Sequence, residues 1–464
     1  MTDPRGIINN NNMTGMQILV VALTVGLNAL DGFDVLSISF ASPGIADEWG
    51  IDRAALGIVL SMELIGMAIG SILLGNLADK IGRRPTILVC LVVMATGMFM
   101  VTTVHDDNSF SFWKIFNSIL NLIGQDRLIA NILPSVFDLS IWRILTGLGI
   151  GGMLAAINPM AAEFSSDKSR HLAVSLMVIG YPIGGVIGGA VVIPLLAGYD
   201  WRSVFYFGAA ATVLFIPLVY FFVPESVHWL TRKQPQNALD KVNFVLKKIG
   251  HAIIDALPHI DEDTRKKSIS DLFAPGLRNI TIILTVAYLF HITTFYFIIK
   301  WVPKIVADMG FAASNAGLVL TIANLGAVVG GVLFGFMTFR ISLKSLTIAI
   351  LFLSIVMLAI FGQTPQELFW LSTLAAAVNF CTNAGVVGLY ALFVQGFPTH
   401  VRASGTGFAI GVGRGGAVVS PIIAGYLFNA GFSLGSVATI MGVGAVIAAF
   451  TLMFLHVQPD SSES

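Results

Sequence analysis

Windows of about twenty mostly apolar residues recur along the whole chain, the length an α-helix needs to cross a hydrocarbon core of roughly 30 Å. About twelve such windows can be placed: 16–40, 54–77, 86–104, 139–163, 172–196, 203–223, 280–302, 314–337, 346–362, 367–394, 404–428 and 434–456. Of the 464 residues 56% are hydrophobic and only 11% charged, more apolar surface than one soluble core could cover. The fold class that follows is an all-α polytopic membrane protein with twelve transmembrane helices.

Lys and Arg near the window ends orient such a chain. With the N-terminus inside, Arg5, Lys80, Arg83, Arg84, Lys168, Arg170, Arg340, Lys344, Arg402 and the basic 230–279 segment share one side. Arg53, Lys114, Arg127, Arg202 and Lys304 keep the other. Both termini are therefore expected in the cytoplasm. The opening "MTDPRGIINNNNMTG" lacks a basic n-region and a cleavage site, so the first window is expected to stay as an anchor. Cys90 and Cys381 each fall inside an apolar window, which argues against a disulfide framework. The net charge of zero decides nothing about partners; the bilayer is the partner composition implies, and no nucleic acid is expected.

The windows divide the chain into a disordered tail (1–15), a six-helix bundle (16–229), a cytoplasmic central loop (230–279), a second bundle (280–456) and a C-terminal tail (457–464). Within the loop, 236–250 has apolar residues at helical spacing and reads as an amphipathic helix on the membrane face. Between the third and fourth windows, 105–138 is an extracytoplasmic insertion too polar to span, read as an interfacial helix or cap. The halves repeat. "SMELIGMAIGSILLGNLADKIGRR" (61–84) over "TIANLGAVVGGVLFGFMTFRISLK" (321–344) places Gly66, Gly70 and Gly75 on Gly326, Gly330 and Gly335. A second register sets Gly180, Gly184 and Gly185 on Gly411, Gly415 and Gly416. Such spacing lets helix backbones approach closely, and its recurrence favours two pseudo-symmetric bundles.

"GNLADKIGRRP" (75–85) resembles the loop between helices two and three of the major facilitator superfamily. "RILTGLGIGG" (143–152) is similar to that superfamily's helix-four motif and "PESVHWL" (224–230) to its end-of-helix-six motif, with His228 where Arg is commoner. The likeness covers all twelve windows and leaves out only 105–138. Within the superfamily, "LDGFD" in the first window, with "FPTHVRASGTG" (397–407) and Arg414, is similar to the aromatic acid:proton symporter group. The resemblance implies a secondary transporter of the bacterial inner membrane, acting as a monomer on a small organic anion and protons.

The most specific motif reads physically as a cytoplasmic gate. Gly75, Asp79, Gly82, Arg83 and Arg84 present both signs of charge on a short turn; Glu163 and Glu225 are plausible partners, and Arg402 lies on the same side. The bland alternative is a solvated positive-inside loop. In the second half Phe339 and Ser342 replace Asp79 and Gly82, so a latch there must be weaker.

Asp31 and Asp34 stand inside the first window three residues apart, on one helix face that Asn28 extends. A carboxylate facing lipid costs several kcal/mol, so these face the interior or water and mark function by default. Arg143, at comparable depth in window four, is their natural counter-charge, and Arg414 supplies a second buried cation. Those four charges cancel, so an entering carboxylate would call for one proton. The expected mechanism makes Asp34 the main proton site, paired with Arg143 when deprotonated and assisted by Asp31, while Arg414 clamps the substrate carboxylate. A permanent structural ion pair is the alternative.

Tyr288, His291 and Phe295 share one helical face suited to stacking on a ring, or simply to packing. Asn324, Asn379 and Asn383 could read a hydroxyl or bridge helices, and Lys300 is expected to snorkel to the outer interface. A Gly-Lys-Ser/Thr loop, a metal-ligand cluster and a nucleophile elbow are all missing from the sequence, so no enzyme, cofactor or metal is expected. The favoured function is proton-coupled import of a 4-hydroxybenzoate-like acid by alternating access. Carriage of another organic acid, sugar or metabolite, antiport, and a non-transporting membrane sensor remain as alternatives.

Overall fold

The computed structural model describes residues 3–105, 111–122, 133–258, 269–398 and 401–455. All regular structure among them is helical. The first half holds α1 (Pro4–Asn10), α2 (Gly15–Trp49), α3 (Arg53–Ile81), α4 (Arg83–Val101), α5 (Phe112–Leu122), α6 (Pro134–Glu163), α7 (Asp167–Gly198) and α8 (Arg202–Phe222). The central segment adds α9 (Val227–Lys233) and α10 (Ala238–Lys248). The second half holds α11 (Arg278–Asp308), α12 (Ala313–Met337), α13 (Leu343–Phe361), α14 (Leu368–Gly396), α15 (Arg402–Asn429) and α16 (Leu434–Met453).

Twelve of these are long and apolar enough to cross a membrane, as the windows required, and the chain is an integral membrane protein. Several run past their windows because polar flanks continue or cap the helix. Pro134 occupies the first turn of α6, and Ser342 and Ser433 cap α13 and α16 by accepting the backbone N–H three residues on.

Two compact units emerge. The first comprises Met1–Ser37, Met62–Gly188 and Tyr199–Thr264; the second comprises Ile38–Ser61, Gly189–Gly198 and Arg265–Ser464. The end of α2, the start of α3 and the end of α7 thus group with the second-half helices. Within this second unit α3 and α15 touch backbone to backbone. A Cβ on Gly57 would lie 2.5 Å from the Pro421 carbonyl, and one on Gly425 would lie 2.5 Å from the Arg53 carbonyl. Beside that contact Arg53 bonds Asp308 through Nε at 3.1 Å and Nη2 at 2.8 Å, and Lys304 reaches the other Asp308 oxygen at 2.5 Å.

The first glycine register does the same work in both halves at two of its three positions; at the third, Gly75 packs on Ala155 but Gly335 faces open space. A Cβ on Gly66 or Gly70 would overlap the Ile144 or Leu148 carbonyl of α6, and one on Gly326 or Gly330 the Ala376 or Phe380 carbonyl of α14. The second register holds only in part. Gly184 abuts Ala29 and Gly416 abuts Leu289, but Gly411 and Gly415 face open space.

Four local expectations are corrected. The N-terminal tail is not wholly disordered: Asp3 caps α1, Pro4 starts it, and Ile8 is buried. The α10 helix turns Val242, Val245 and Leu246 inward against protein, and Thr14 donates to the Ile249 carbonyl at its end, so its apolar face is not left for lipid. Lys300 is fully buried and does not snorkel. The insertion ends where α6 begins at Pro134. Its α5 is docked by Phe112 on Trp142 and by the Trp113 N–H on Asp138 at 3.0 Å. Residues 106–110 and 123–132 of that insertion, 259–268 of the central loop and the 457–464 tail lie outside the described residues. Cys90 and Cys381 are both free and buried.

Candidate functional site

Asp31 and Asp34 from α2, Glu63 from α3 and Arg143 from α6 are all fully buried within the first unit. The sequence reading pairs Arg143 with Asp34; the structure gives the guanidinium to Glu63, with Arg143 Nη2 2.5 Å from Glu63 Oε2. Gly66 and Gly70 cause this. Having no Cβ, they let α3 settle on the α6 backbone at Ile144 and Leu148, which brings Glu63, one turn earlier, onto Arg143.

Both terminal nitrogens of the guanidinium have further contacts, while Nε has no hydrogen-bond partner among the described residues. Nη2 donates to the Asp34 backbone carbonyl at 3.1 Å, Nη1 contacts the Met98 sulfur at 3.2 Å, and the group sits 5.3 Å over the Phe205 ring. The Asp34 carboxylate oxygens accept no hydrogen bond among the described residues. An ionised carboxylate there goes uncompensated by a donor, which is costly at such burial. Asn28, the third predicted member of this face, donates to the Met177 carbonyl at 2.5 Å and ties α2 to α7.

In the second unit, the predicted aromatic face resolves into two different things. Tyr288 is buried with its hydroxyl 3.1 Å from that of Tyr390, and Phe393 packs edge-on at 5.4 Å. His291 meets the same helix, α14, at another point, with Nε2 2.8 Å from the Thr382 carbonyl. Arg414 is part-exposed, not buried as expected. The amides serve as helix bridges: Asn379 and Asn383 donate to the Ala323 and Ala327 carbonyls at 3.0 and 2.8 Å. Asn324 donates within its own helix, to Leu320 at 2.9 Å.

The gate motif forms a network inside the first unit. Arg83 Nη2 bonds Glu163 Oε1 at 2.7 Å, and the Ser226 hydroxyl donates to Glu163 Oε2. Glu225 accepts the backbone N–H groups of Arg83 at 2.9 Å, Arg84 at 3.3 Å and Ser226 at 2.8 Å. Burial outweighs those three donors and holds the Glu225 carboxyl above its ordinary range. Burial likewise pushes the half-buried His228 imidazole down, with Arg5 and Arg170 adding to the effect and Glu163 opposing it.

Gly82 makes the turn possible. Its φ of +111° lies where side chains are strained, and a Cβ would strike Glu225. Gly75 packs on Ala155. Arg84 donates to the Tyr220 carbonyl at 2.6 Å and lies over the Tyr220 ring. Asp79 is exposed and contributes only its backbone carbonyl, which accepts from Trp229 Nε1 at 3.0 Å; the acids of the network are therefore Glu163 and Glu225. Arg402 bonds the nearby Phe397 carbonyl at 3.2 Å, apart from this network.

Glu63, Tyr390 and Ser226 are the residues the sequence reading missed. Glu63 carries the same signal as Asp31 and Asp34, an acid in an apolar window. Among the described residues no group of three or more His, Cys, Asp or Glu side chains is placed to hold a metal ion.

Comparison with known proteins agrees with this architecture. The family model described as Major Facilitator Superfamily matches residues 24–299 and 284–464. The chain is 25% identical over 454 residues to a gallate transporter of Pseudomonas putida, covering 97% of this chain and 94% of that protein. It is also 25% identical over 457 residues to the 4-hydroxybenzoate transporter PcaK of Acinetobacter baylyi, covering 97% and 93%. Among solved structures it resembles a partially occluded inward open conformation of the xylose transporter XylE from E. coli, with a TM-score of 0.70 and 18% identity over 96% of this chain and 99% of that one. With a family model matched over both halves and twelve candidate spans, this chain belongs to the Major Facilitator Superfamily.

Proposed function

We propose that this chain is a proton-coupled importer of a small aromatic carboxylate, 4-hydroxybenzoate or a close analogue, working by alternating access in a bacterial inner membrane with both termini in the cytoplasm. The observation that carries the reading is Asp34: a fully buried carboxyl with no hydrogen-bond donor, beside an arginine already committed to Glu63. Taking up a proton removes the cost of that charge, so Asp34 is the group on which a proton gradient can act. Asp31, one turn earlier, assists. Relatives named for transport of gallate and 4-hydroxybenzoate support an aromatic acid as the cargo.

In the second unit, Arg414 is the cation open enough to hold the cargo carboxylate, and the Tyr288–Tyr390 pair offers ring faces and hydroxyls to an aromatic ring. Asn28, Asn379 and Asn383 are spent on helix bridges, and so act through the scaffold. The Arg83–Glu163 pair and the Glu225 cradle serve as the gate network.

The test is uptake into proteoliposomes under an inward proton gradient, with 4-hydroxybenzoate, benzoate, succinate and a hexose compared. Aromatic acids should accumulate, and Asp34→Asn should abolish accumulation while leaving exchange. Equal accumulation by that variant removes Asp34 from coupling, and flux of only succinate or the hexose moves the cargo class.

A further inference from the structure

Two buried carboxyls, Asp34 and Glu63, lie at one fully buried guanidinium, so the way Arg143 is divided between the two residues decides which of them needs a proton. The division is visible. Glu63 takes the side-chain ion pair at 2.5 Å, whereas Asp34, on the same guanidinium, receives a bond only at its backbone carbonyl, at 3.1 Å. The second terminal nitrogen rests on Met98 Sδ and the face on Phe205, while Nε has no hydrogen-bond partner among the described residues.

We infer that Glu63 is a positioning residue: it keeps the Arg143 guanidinium away from the Asp34 carboxylate, so that a proton, and not an arginine, compensates Asp34. This rests on the reading that Asp34 carries the coupled proton. Arg143 Nη2 already bonds the Asp34 backbone carbonyl, so a guanidinium released by Glu63 has the Asp34 residue as its neighbour. Glu63 is what opposes that release, because an ion pair in a low-dielectric interior is far stronger than the same pair in water. The titratable and charged groups facing the site are Asp31 from α2, Glu63 from α3, Cys90 from α4 and Arg143 from α6; α8 presents the uncharged Phe205.

The experiment is Glu63→Gln and Glu63→Asp, each in proteoliposomes, with exchange and gradient-driven accumulation of 4-hydroxybenzoate measured against pH. Glu63→Gln frees Arg143 to claim Asp34, so its exchange profile should move toward acid by about one pH unit or more, which is about tenfold in proton concentration. Accumulation at neutral outer pH should fall about tenfold and recover on acidification. Glu63→Asp should restore most of the wild-type profile, since it keeps the charge. Infrared titration of the protonated-carboxyl band that disappears in Asp34→Asn reads the same shift without any transport, which covers a variant too unstable to assay for flux. An unchanged profile and an unmoved band in Glu63→Gln overturn the inference. Accumulation by Asp34→Asn overturns the underlying reading instead, and the inference with it.

Discussion

Replacing Gly57 with alanine tests how tightly the second unit is sewn together. The added Cβ would sit 2.5 Å from the Pro421 carbonyl oxygen, an acceptor that Trp301 Nε1 already uses at 3.2 Å. Carbon and carbonyl oxygen approach no closer than about 3.3 Å, so α3 and α15 must separate by roughly 0.8 Å. Neither obstacle can rotate aside, because both belong to backbone. A gap of 0.5–1 Å forfeits about a quarter to a half of the dispersion attraction across the contact, and overpacking of this kind costs about 1–3 kcal/mol. The expected loss for Gly57→Ala is about 2 kcal/mol, read by thermal unfolding in a mild detergent. Gly425→Ala should cost a similar amount, since its Cβ meets the Arg53 carbonyl at the same 2.5 Å. One separation relieves both clashes, so the double variant should cost clearly less than the sum of the two. Gly198→Ala, whose Cβ meets nothing within 4 Å, is the control and should not destabilise. Additive losses, or a Gly57→Ala variant as stable as the control, would refute the close backbone contact.

Two other outcomes follow from the gate network. His228 has its folded pKa depressed below the ordinary 6.5, so its contribution to stability is present above that value and is lost as pH falls below it; His228→Gln should flatten the loss of thermal stability on acidification from about pH 6.5. Gly82→Ala should cost about 2–3 kcal/mol, since φ +111° with ψ 161° is a conformation essentially reserved for glycine. Gly82→Asn should cost at least as much in the same unfolding assay, because its usual refuge, the left-handed helical region, lies elsewhere.

The spans and the first glycine register were legible because both are periodic: apolar length sets a helix, and glycine spacing sets where two helices meet. Asp31 and Asp34 were legible as acids in an apolar window. Their electrostatic partner was not, because pairing depends on how close α3 comes to α6, and that distance is set by Gly66 and Gly70 and not by anything at Glu63 or Arg143 themselves. The amides misled for a related reason. Asn379 and Asn383 look available in sequence, but α12 lies close enough for each to be spent on a carbonyl. Arg414 departs the other way, being part-exposed where its place in an apolar window predicts burial.

The two cysteines have a practical consequence. Cys90 and Cys381 are free thiols sealed inside helix contacts, and buried thiols of this kind are inert. The natural chain is therefore close to a silent background for thiol chemistry. A single reporter cysteine at exposed Asp79, near the end of α3, would be the accessible nucleophile. Attack by an impermeant maleimide could then time the access cycle directly, without first rebuilding the protein.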